Sequence, residues 1–253
     1  GCISCPLCNS KLSQDEINNI IRCKKEAYNE NISFVGCSNW ITNCAKSSFL
    51  CKNSEVMVIP NTIRFDIFKP ISKRKAMEML KLKKSEKKKF ILFGAMSSTS
   101  DKRKGYEYLH KALCTLEHKD EYIVLVFGGK LEDIVDVGIE TFNVGMIYND
   151  NQLAALYSIA DVFVAPSLQE NLSNAVMESL ACGTPVVAFN IGGMHDMIAH
   201  KSNGYLAVLS NIDDLKKGIE WTASHSNELS KSCVDSVRDK FSNNKVAEQY
   251  ITL

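Results

Sequence analysis

The chain has 253 residues, of which 45% are hydrophobic, 23% are charged and five are prolines. This composition is typical of a globular protein and excludes a disordered chain. The 30 basic and 29 acidic residues nearly cancel, which argues against a nucleic-acid-binding protein.

The first part of the chain predicts the end of a β/α arrangement. Apolar spacing predicts helices over 15–28 and 39–50, the second capped by Ser38, and short strands over 32–38 and 55–60. The first residue is not Met, and no complete β/α unit precedes these elements. We therefore expect the chain to be a fragment of a longer protein.

Seven of the ten cysteines lie in the first 51 residues, and three of them form a Cys-x2-Cys-x2-Cys run. Thiolates at this spacing can bind zinc, which makes Cys2, Cys5 and Cys8 candidate ligands. No histidine lies nearby, and the fourth ligand would have to be Cys23, so buried or incidental thiols are the favoured interpretation. The cysteine spacing does not suggest a disulfide framework and indicates a reducing, cytoplasmic location.

Residues 69–89 form a basic segment with ten basic and two acidic residues. Such a segment could touch an anionic membrane surface, as at the inner face of the plasma membrane. A solvated helix and linker face is the favoured alternative. The sequence contains no apolar run long enough for a membrane-spanning helix.

From residue 89 onward, short apolar runs alternate with predicted helices. Such runs are typical of strands that are buried on both faces. Right-handed crossovers through the helices predict a Rossmann-like, doubly wound parallel α/β sheet. The predicted strands are 89–95, 122–129, 140–147, 161–167, 185–190 and 204–209, and the predicted helices between them are 106–116, 151–158, 173–182 and 194–199.

Ligands of such a sheet bind beyond the carboxyl ends of its strands. The loops expected there are rich in Gly, Ser, Asn and charged residues. None of them carries G-x-G-x-x-G or G-x-x-x-x-G-K-[ST], which argues against a standard dinucleotide site and against a P-loop ATPase.

The strongest constellation lies around the fourth of these strands and the helix after it. Glu170 follows the strand, and Asn171 to Ser173 are expected to open the helix, where free backbone N–H groups can receive a phosphate. Glu178 lies on that helix, and its carboxylate can accept two hydrogen bonds from a ribose diol. Gly183 is expected to end the helix in a left-handed conformation, and Gly192-Gly193 to let the backbone approach a ligand.

Glu170 and Glu178 form the E-x7-E motif of retaining glycosyltransferases with the GT-B fold. Their surroundings resemble glycosyltransferase family 4, which typically reads PS-x-x-E-G-F-G-x-x-x-x-E-A-x-A-x-G-x-P-V-V-A-x-x-x-G-G. The resemblance covers about residues 30–253 and includes Ile59-Pro60-Asn61, Lys104-Gly105 and the closing helix. Within the long motif, the matching residues are Pro166, Ser167, Glu170, Glu178, Ala181, Gly183, Pro185 to Ala188, Gly192 and Gly193.

The resemblance implies a role for each candidate site residue. Glu178 would bind the nucleotide ribose, Glu170 would be the catalytic residue near the donor sugar, and Lys104 would bind the diphosphate. The resemblance further implies that fixed cations and amides stabilise the departing nucleoside diphosphate, so no metal or other cofactor is expected. The backbone amides of Asn171 and Leu172 would also contact the phosphates. Gly145 and Met146 would border the base, and Arg103 or Lys102 would supply a second cation.

The resemblance also implies the domain organisation and the function. Residues 1–63 would be the remnant of an acceptor-binding Rossmann-like domain, 64–240 the complete nucleotide-sugar domain, and 241–253 a closing helix that packs toward the N-terminal domain. The expected activity is retaining hexosyl transfer from a UDP- or GDP-sugar to a glycan or lipid-linked acceptor. The expected setting is surface polysaccharide biosynthesis in the cytoplasm, with peripheral membrane contact.

Two departures from the family pattern keep alternatives open. The usual E-G-F-G reads Glu170-Asn171-Leu172-Ser173, and Ala95-Met96 replaces the Arg that usually follows the first strand. These changes and the incomplete acceptor domain are compatible with a non-catalytic, nucleotide-sugar-binding remnant. A further alternative is a zinc module fused to a Rossmann-like domain that serves protein contacts.

Overall fold

The computed structural model describes residues 13–28, 32–82, 88–94, 101–128 and 136–253. The chain divides into two compact units, Gly1–Ile59 and Pro60–Leu253. The boundary predicted between residues 63 and 64 lies just beyond this division. The cysteine run that suggested zinc lies outside the described residues, and within them no group of three or more His, Cys, Asp or Glu side chains could hold a metal.

The first unit contains the two predicted helices and the two predicted strands, and the strands pair in parallel. Ser38 caps the second helix, because its hydroxyl accepts a 3.2 Å hydrogen bond from the backbone N–H of Ile41. This helix ends at Lys46, earlier than predicted, where the Ser47 hydroxyl donates to the carbonyl oxygen of Asn43. The elements are helices α1 (Gln14–Ala27) and α2 (Asn39–Lys46) and strands β1 (Ser33–Gly36) and β2 (Glu55–Val58).

The second unit is built on a six-stranded sheet. Its strands are β3 (Lys89–Gly94), β4 (Tyr122–Phe127), β5 (Glu140–Gly145), β6 (Val162–Ala165), β7 (Val186–Phe189) and β8 (Gly204–Ala207). All neighbouring pairs are parallel, and the spatial order is β5-β4-β3-β6-β7-β8. This is the 3-2-1-4-5-6 order of a Rossmann fold, so the predicted doubly wound α/β sheet is confirmed.

Helices cover both faces of this sheet. They are α3 (Lys73–Leu80), α4 (Tyr106–Cys114), α5 (Asp150–Ile159), α6 (Asn174–Ala181), α7 (Met194–Met197), α8 (Ile212–Ser224), α9 (Ser226–Phe241) and α10 (Asn243–Ile251). Helices α4 and α8 pack together on one face, over Ile91 and Phe93 of the central strand β3. Helix α6 packs on α5 and on α9, and the closing helix α10 contacts α9. Among the described residues, no helix is long and apolar enough to cross a membrane.

A buried carboxylate ties three elements to the start of β6. Asp161 is 6% exposed, and its Oδ2 accepts a 2.8 Å hydrogen bond from the backbone N–H of Phe90 in β3. Its Oδ1 accepts from Lys73 Nζ of α3 at 2.5 Å and from Ser226 Oγ of α9 at 3.2 Å. These hydrogen bonds compensate for the burial of the carboxylate, and through them Asp161 links β6 to β3, α3 and α9.

Several lysines of the basic segment form ion pairs or hydrogen bonds within the second unit. Lys73 pairs with Asp161, Lys88 Nζ lies 2.6 Å from Glu140 Oε2, and Lys89 Nζ donates to Ser224 Oγ at 3.3 Å. These contacts favour the interpretation of a helix and linker face over a membrane-binding surface. Residues 83–87 of the segment lie outside the described part of the chain.

Candidate functional site

The candidate site lies where the strand order of the large sheet reverses. Strands β3 and β6 are neighbours at the centre of the sheet, with β4 on the far side of β3 and β7 on the far side of β6. Open α/β sheets form a crevice at the carboxyl ends of their strands at such a point, and ligands bind there. Here it holds a cavity of about 190 Å³, whose lining includes Gly94, Lys104, Phe127, Phe163, Glu170 and Ser173.

A second cavity, of about 600 Å³, lies in the first unit and does not share this position. It is lined by Ser33 and Glu55, which begin the two strands there, and by Phe49 with Lys25 and Lys52 beside its ring. It therefore lies at the amino ends of β1 and β2, whereas ligands of parallel sheets bind at the carboxyl ends. The smaller cavity is the better candidate site.

Lys104 reaches the cavity because a glycine follows it. Lys102–Lys104 form a single 3₁₀ turn, and Gly105 then adopts φ +68°. A Cβ atom at Gly105 would clash with the carbonyl oxygen of Pro166, so the close approach of the two loops requires glycine. Lys104 Nζ thereby lies 3.2 Å from Glu170 Oε2, which brings two predicted site residues into contact.

The backbone of Glu170 is held by the paired glycines at 192 and 193. Gly192 has φ +50°, and a Cβ atom there would clash with the carbonyl oxygen of Glu170. The same oxygen accepts a 3.3 Å hydrogen bond from the Gly193 N–H. We expected these glycines to approach a ligand, whereas Gly192 approaches the backbone of the protein itself. The pair therefore fixes the position from which the Glu170 side chain enters the cavity.

Helix α6 begins slightly later than predicted. Ser173 is its N-cap, with the Ser173 hydroxyl 3.5 Å from the Val176 N–H, so the first turn starts at Asn174. The free N–H groups of the first turn therefore belong to Asn174 and Ala175 rather than to Asn171 to Ser173. Gly183 ends the helix with φ +82°, and the N–H of Thr184 bonds the Ser179 carbonyl oxygen at 3.0 Å, which confirms the predicted left-handed end.

Glu178 lies on α6 with its carboxylate partly buried against α5. Burial, the largest cause, raises the pKa of Glu178 to about 7, and the negative charge of Asp150 adds to the rise. The hydroxyl of Tyr157 opposes the rise, because it donates a 3.3 Å hydrogen bond to Glu178 Oε2. Burial also raises the pKa of Tyr157 well above its ordinary value, so this phenol stays protonated and remains a donor.

The residues between the two glutamates lie at different depths. The N–H of Asn171 is 3.3 Å from Glu170 Oε1, so this amide already faces a carboxylate. Leu172 is 8% exposed and packs into the core. Their predicted contribution to a phosphate site stays a prediction.

The predicted second cation, Arg103, points to its near neighbour in sequence. Its Nε and Nη2 donate to Asp101 at 3.0 and 2.8 Å, and its side chain is 68% exposed. This paired hydrogen bond raises the pKa of Arg103 and lowers that of Asp101. The structure thus places Lys104, and not the Arg103 guanidinium, against Glu170.

Gly145 and Met146 lie at the carboxyl end of β5, the edge strand on the β4 side. Gly145 has φ +76°, and its N–H donates to Asn143 Oδ1 at 2.7 Å. Met146 is 48% exposed, and Tyr148 close to it is 87% exposed. These exposed apolar groups lie at the ligand-binding end of the sheet, and the predicted contact with a base stays a prediction.

Sequence reasoning missed the aromatic cluster behind the cavity. The Tyr157 ring packs against Phe127 and Phe163, both of which line the cavity, with ring centroids 6.1 and 5.5 Å away. Tyr157 is only 1% exposed, on a helix that is buried nearly all round. A buried tyrosine requires a partner for its hydroxyl, and this requirement was the signal available in the sequence. The partner, Glu178, was not foreseeable from spacing.

Known proteins share this sequence pattern. The family described as glycosyl transferases group 1 matches residues 75–240. An uncharacterized glycosyltransferase of Haemophilus influenzae is 32% identical over 148 residues, which cover 55% of this chain and 40% of that protein. An uncharacterized 41.2 kDa protein in the cps region of Klebsiella pneumoniae is 26% identical over 217 residues, which cover 83% of this chain and 57% of that protein. The chain therefore spans about half the length of these relatives.

Solved structures share the fold at lower identity. Sucrose-phosphate synthase from Thermosynechococcus elongatus superposes with a TM-score of 0.76 at 22% identity, over 97% of this chain and 63% of that one. Anabaena Alr3699/HepE in complex with UDP and glucose gives a TM-score of 0.70 at 17% identity, over 96% of this chain and 68% of that one. These similarities agree with the predicted GT-B type of fold. Because the family match covers more than half of the chain, the protein belongs to the glycosyl transferases group 1 family.

Proposed function

We propose that the chain is the donor-binding part of a glycosyltransferase that transfers a sugar from a nucleotide-diphosphate sugar to a glycan or lipid-linked acceptor. The observation that carries this proposal is the contact between Lys104 and Glu170 at the cavity. A cation for the diphosphate and a carboxylate for sugar hydroxyls lie 3.2 Å apart at the usual ligand position of the fold.

The first step of the proposed mechanism is an exchange of partners at Lys104. Its side chain is 44% exposed, so a ligand in the cavity can reach the ammonium group. A donor diphosphate carries more negative charge than the Glu170 carboxylate and would compete for this cation. Negative charge grows on the leaving nucleoside diphosphate during transfer, and Lys104 would stabilise it, an effect commonly worth about 3 kcal/mol for one such group.

Glu170 would then be free to accept hydrogen bonds from the donor sugar. Its backbone is fixed by Gly193, and its side chain is 19% exposed, so the carboxylate would be presented in a defined position. Glu178 would accept hydrogen bonds from the ribose. The amides of Asn171 and Leu172, the Arg103 cation and the 145–146 turn are the further donor contacts that we propose.

The proposal includes a metal-independent reaction. The phosphate charge would be balanced by Lys104 and by the first N–H groups of α6, which begins at the edge of the cavity after Ser173. Transfer that persists unchanged in excess EDTA is the expected result. Loss of transfer in EDTA, with recovery on adding Mg²⁺ or Mn²⁺, would contradict this part.

The finer assignment is retaining hexosyl transfer in surface polysaccharide biosynthesis, at the cytoplasmic face of the membrane. The E-x7-E pair of Glu170 and Glu178 supports retention. A relative from the cps region of Klebsiella pneumoniae supports the biosynthetic setting. Analysis of the anomeric configuration of a product made by the full-length protein is the direct test of retention.

Thermal-shift titration with UDP, GDP, ADP and NAD tests donor binding. A ligand that binds only the folded protein raises its melting temperature. We expect a rise with UDP or GDP, none with NAD, and a clear reduction of the rise in Glu178→Ala. If neither UDP nor GDP raises the melting temperature, or if the rise is equally large in Glu178→Ala, the proposed site is contradicted.

A further inference from the structure

Helix α5 supplies a buried phenol to the carboxylate of α6 that is proposed to bind the ribose. Tyr157 Oη lies 3.3 Å from Glu178 Oε2, although 21 residues separate them. Within the described part of the chain, this hydroxyl is the one hydrogen-bond donor to the Glu178 side chain. One carboxylate oxygen is thus held by the protein, and the other accepts no hydrogen bond from the described residues.

Tyr157 itself is held firmly. Its ring lies among Phe68, Phe127 and Phe163, with centroid distances of 6.5, 6.1 and 5.5 Å. Its carbonyl oxygen accepts a 2.6 Å hydrogen bond from the Thr184 hydroxyl, just beyond the end of α6. Tyr157 is therefore fixed to the sheet on one side and to the helix of Glu178 on the other. A fixed donor can orient a carboxylate that would otherwise rotate.

We propose that Tyr157 is a positioning residue that orients the Glu178 carboxylate for hydrogen bonding to the ribose of a nucleoside diphosphate. This inference rests on the proposed function, because it assumes that Glu178 meets the ribose. It adds a residue that does not touch the ligand and a dependence on pH near neutrality.

The charges around Glu178 determine the direction of that dependence. Burial and Asp150 favour the protonated carboxyl group, while Tyr157 favours the carboxylate, and the resulting pKa is about 7. Cys182, one turn along α6, has its pKa raised to about 12 and is an uncharged thiol at neutral pH. Strands β6 and β7 carry no titratable side chain, and no charge of α9 among the described residues accounts for the shift. Nucleotide affinity should therefore rise as pH increases through neutrality.

The test measures the affinity for UDP and GDP between pH 5.5 and 9 in the wild type, Tyr157→Phe, Glu178→Ala and the double variant. We expect Tyr157→Phe to lower affinity about fivefold at pH 7, the factor of one hydrogen bond to a charged or polar group. The midpoint of its pH profile should move to higher pH. Glu178→Ala should remove the Glu178 titration and leave that of the nucleotide's terminal phosphate, whose second pKa is about 6, and Tyr157→Phe should add little in that background.

A matched control separates positioning from stability. Tyr205 is 4% exposed, and its hydroxyl donates to Asp214 Oδ1 at 2.8 Å, at the other end of the sheet. Tyr205→Phe should lower the melting temperature as Tyr157→Phe does, yet leave the pH profile of nucleotide affinity in place. An unchanged midpoint in Tyr157→Phe, or the same shift in Tyr205→Phe, would overturn the inference.

A second measurement needs no nucleotide. The melting temperature of Tyr157→Phe, followed over the same pH range, should show its Glu178-dependent change at higher pH than in the wild type. If this shift is present but neither UDP nor GDP binds the wild type, the coupling is real and the ribose role of both residues is overturned. If nucleotide binds with a Glu178-dependent profile but Tyr157→Phe shifts neither readout, the proposed function stands and this inference fails.

Discussion

Lys104 Nζ lies 3.2 Å from Glu170 Oε2, across 66 residues of sequence. The contact depends on two glycine positions, because Gly105 lets the Lys104 turn approach Pro166 and Gly192 approaches the backbone of Glu170. A cation and a carboxylate are thus held at the carboxyl ends of the central strands. This arrangement gives the proposed donor site its chemistry and suggests how the free and bound forms differ.

Glu170→Gln is predicted to strengthen the binding of a free nucleoside diphosphate. The carboxylate competes with the diphosphate for Lys104 in the proposed mechanism, and the neutral amide would compete less. We expect the affinity for UDP or GDP to rise several-fold, by about 1 kcal/mol for one exchanged hydrogen bond, while sugar transfer by the full-length protein falls. Calorimetric titration measures the first effect.

Glu107→Gln is the control for that experiment. Glu107 pairs with Lys111 on the exposed side of α4, so it resembles Glu170 in having a lysine partner. Its substitution should leave nucleotide affinity unchanged. Weaker nucleotide binding in Glu170→Gln would show that the carboxylate assists the diphosphate rather than competing with it.

Gly105→Ala is predicted to disrupt the site through the backbone. The residue has φ +68°, and an added Cβ would meet the Pro166 carbonyl oxygen. We expect a loss of about 2–4 kcal/mol in the free energy of unfolding, measured by urea denaturation. Gly145→Ala is the matched control, because Gly145 has φ +76° with nothing within 4 Å of the added Cβ. It should cost only about 1 kcal/mol, and equal losses in the two variants would contradict the predicted clash.

Glu178→Gln is predicted to change how stability depends on pH. Burial raises the pKa of Glu178 from 4.5 to about 7, so the unfolded chain releases this proton at lower pH than the folded chain does. The contribution of Glu178 to stability is therefore fully present below pH 4.5 and is lost as pH rises toward 7, by up to about 3 kcal/mol.

The glutamine variant lacks this titration, so its melting temperature should rise relative to that of the wild type as the pH increases from 4.5 to 7. Glu107→Gln provides the opposite case, because Lys111 lowers the pKa of the exposed Glu107 carboxyl group. A difference between Glu178→Gln and the wild type that stays constant across this range would show that the carboxyl pKa is not raised.

Asp161→Asn is predicted to destabilise the second unit without touching the cavity. The carboxylate is 6% exposed and accepts hydrogen bonds from β3, α3 and α9. We expect a loss of about 2–3 kcal/mol in unfolding free energy. Lys73→Met removes one partner whose side chain is 50% exposed and should cost less, about 1 kcal/mol. A larger loss from Lys73→Met than from Asp161→Asn would contradict this account.

Local sequence patterns predicted most of the secondary structure of the second unit. The apolar runs located all six strands of the large sheet, and Gly183 was identified as a left-handed helix end because few residues other than glycine tolerate φ +82°. Element ends were less predictable, because polar residues such as Ser47 and Ser173 stop or start a helix by bonding its backbone.

Contacts between distant segments were beyond local patterns. Glu170 was identified from its own loop and Lys104 from the resemblance to glycosyltransferase family 4, but their contact depends on how the loops fold against Pro166. Arg103 or Lys102 was expected at the phosphates, and the hydrogen bond of Arg103 to Asp101, two residues away, is a local pairing with which any ligand would compete. Tyr157 was missed because its partner Glu178 is brought to it by the packing of α5 on α6.

The most direct test of the central claim compares the binding of UDP and GDP with that of UMP and GMP by calorimetry, in the wild type and in Lys104→Met. We predict that each diphosphate binds about tenfold more tightly than its monophosphate in the wild type, and that Lys104→Met abolishes this difference. Lys111→Met, on α4, should leave the difference unchanged. An equal preference for the diphosphate in the wild type and in Lys104→Met, or no binding of either diphosphate, would contradict the claim that Lys104 and Glu170 form a nucleotide-sugar site.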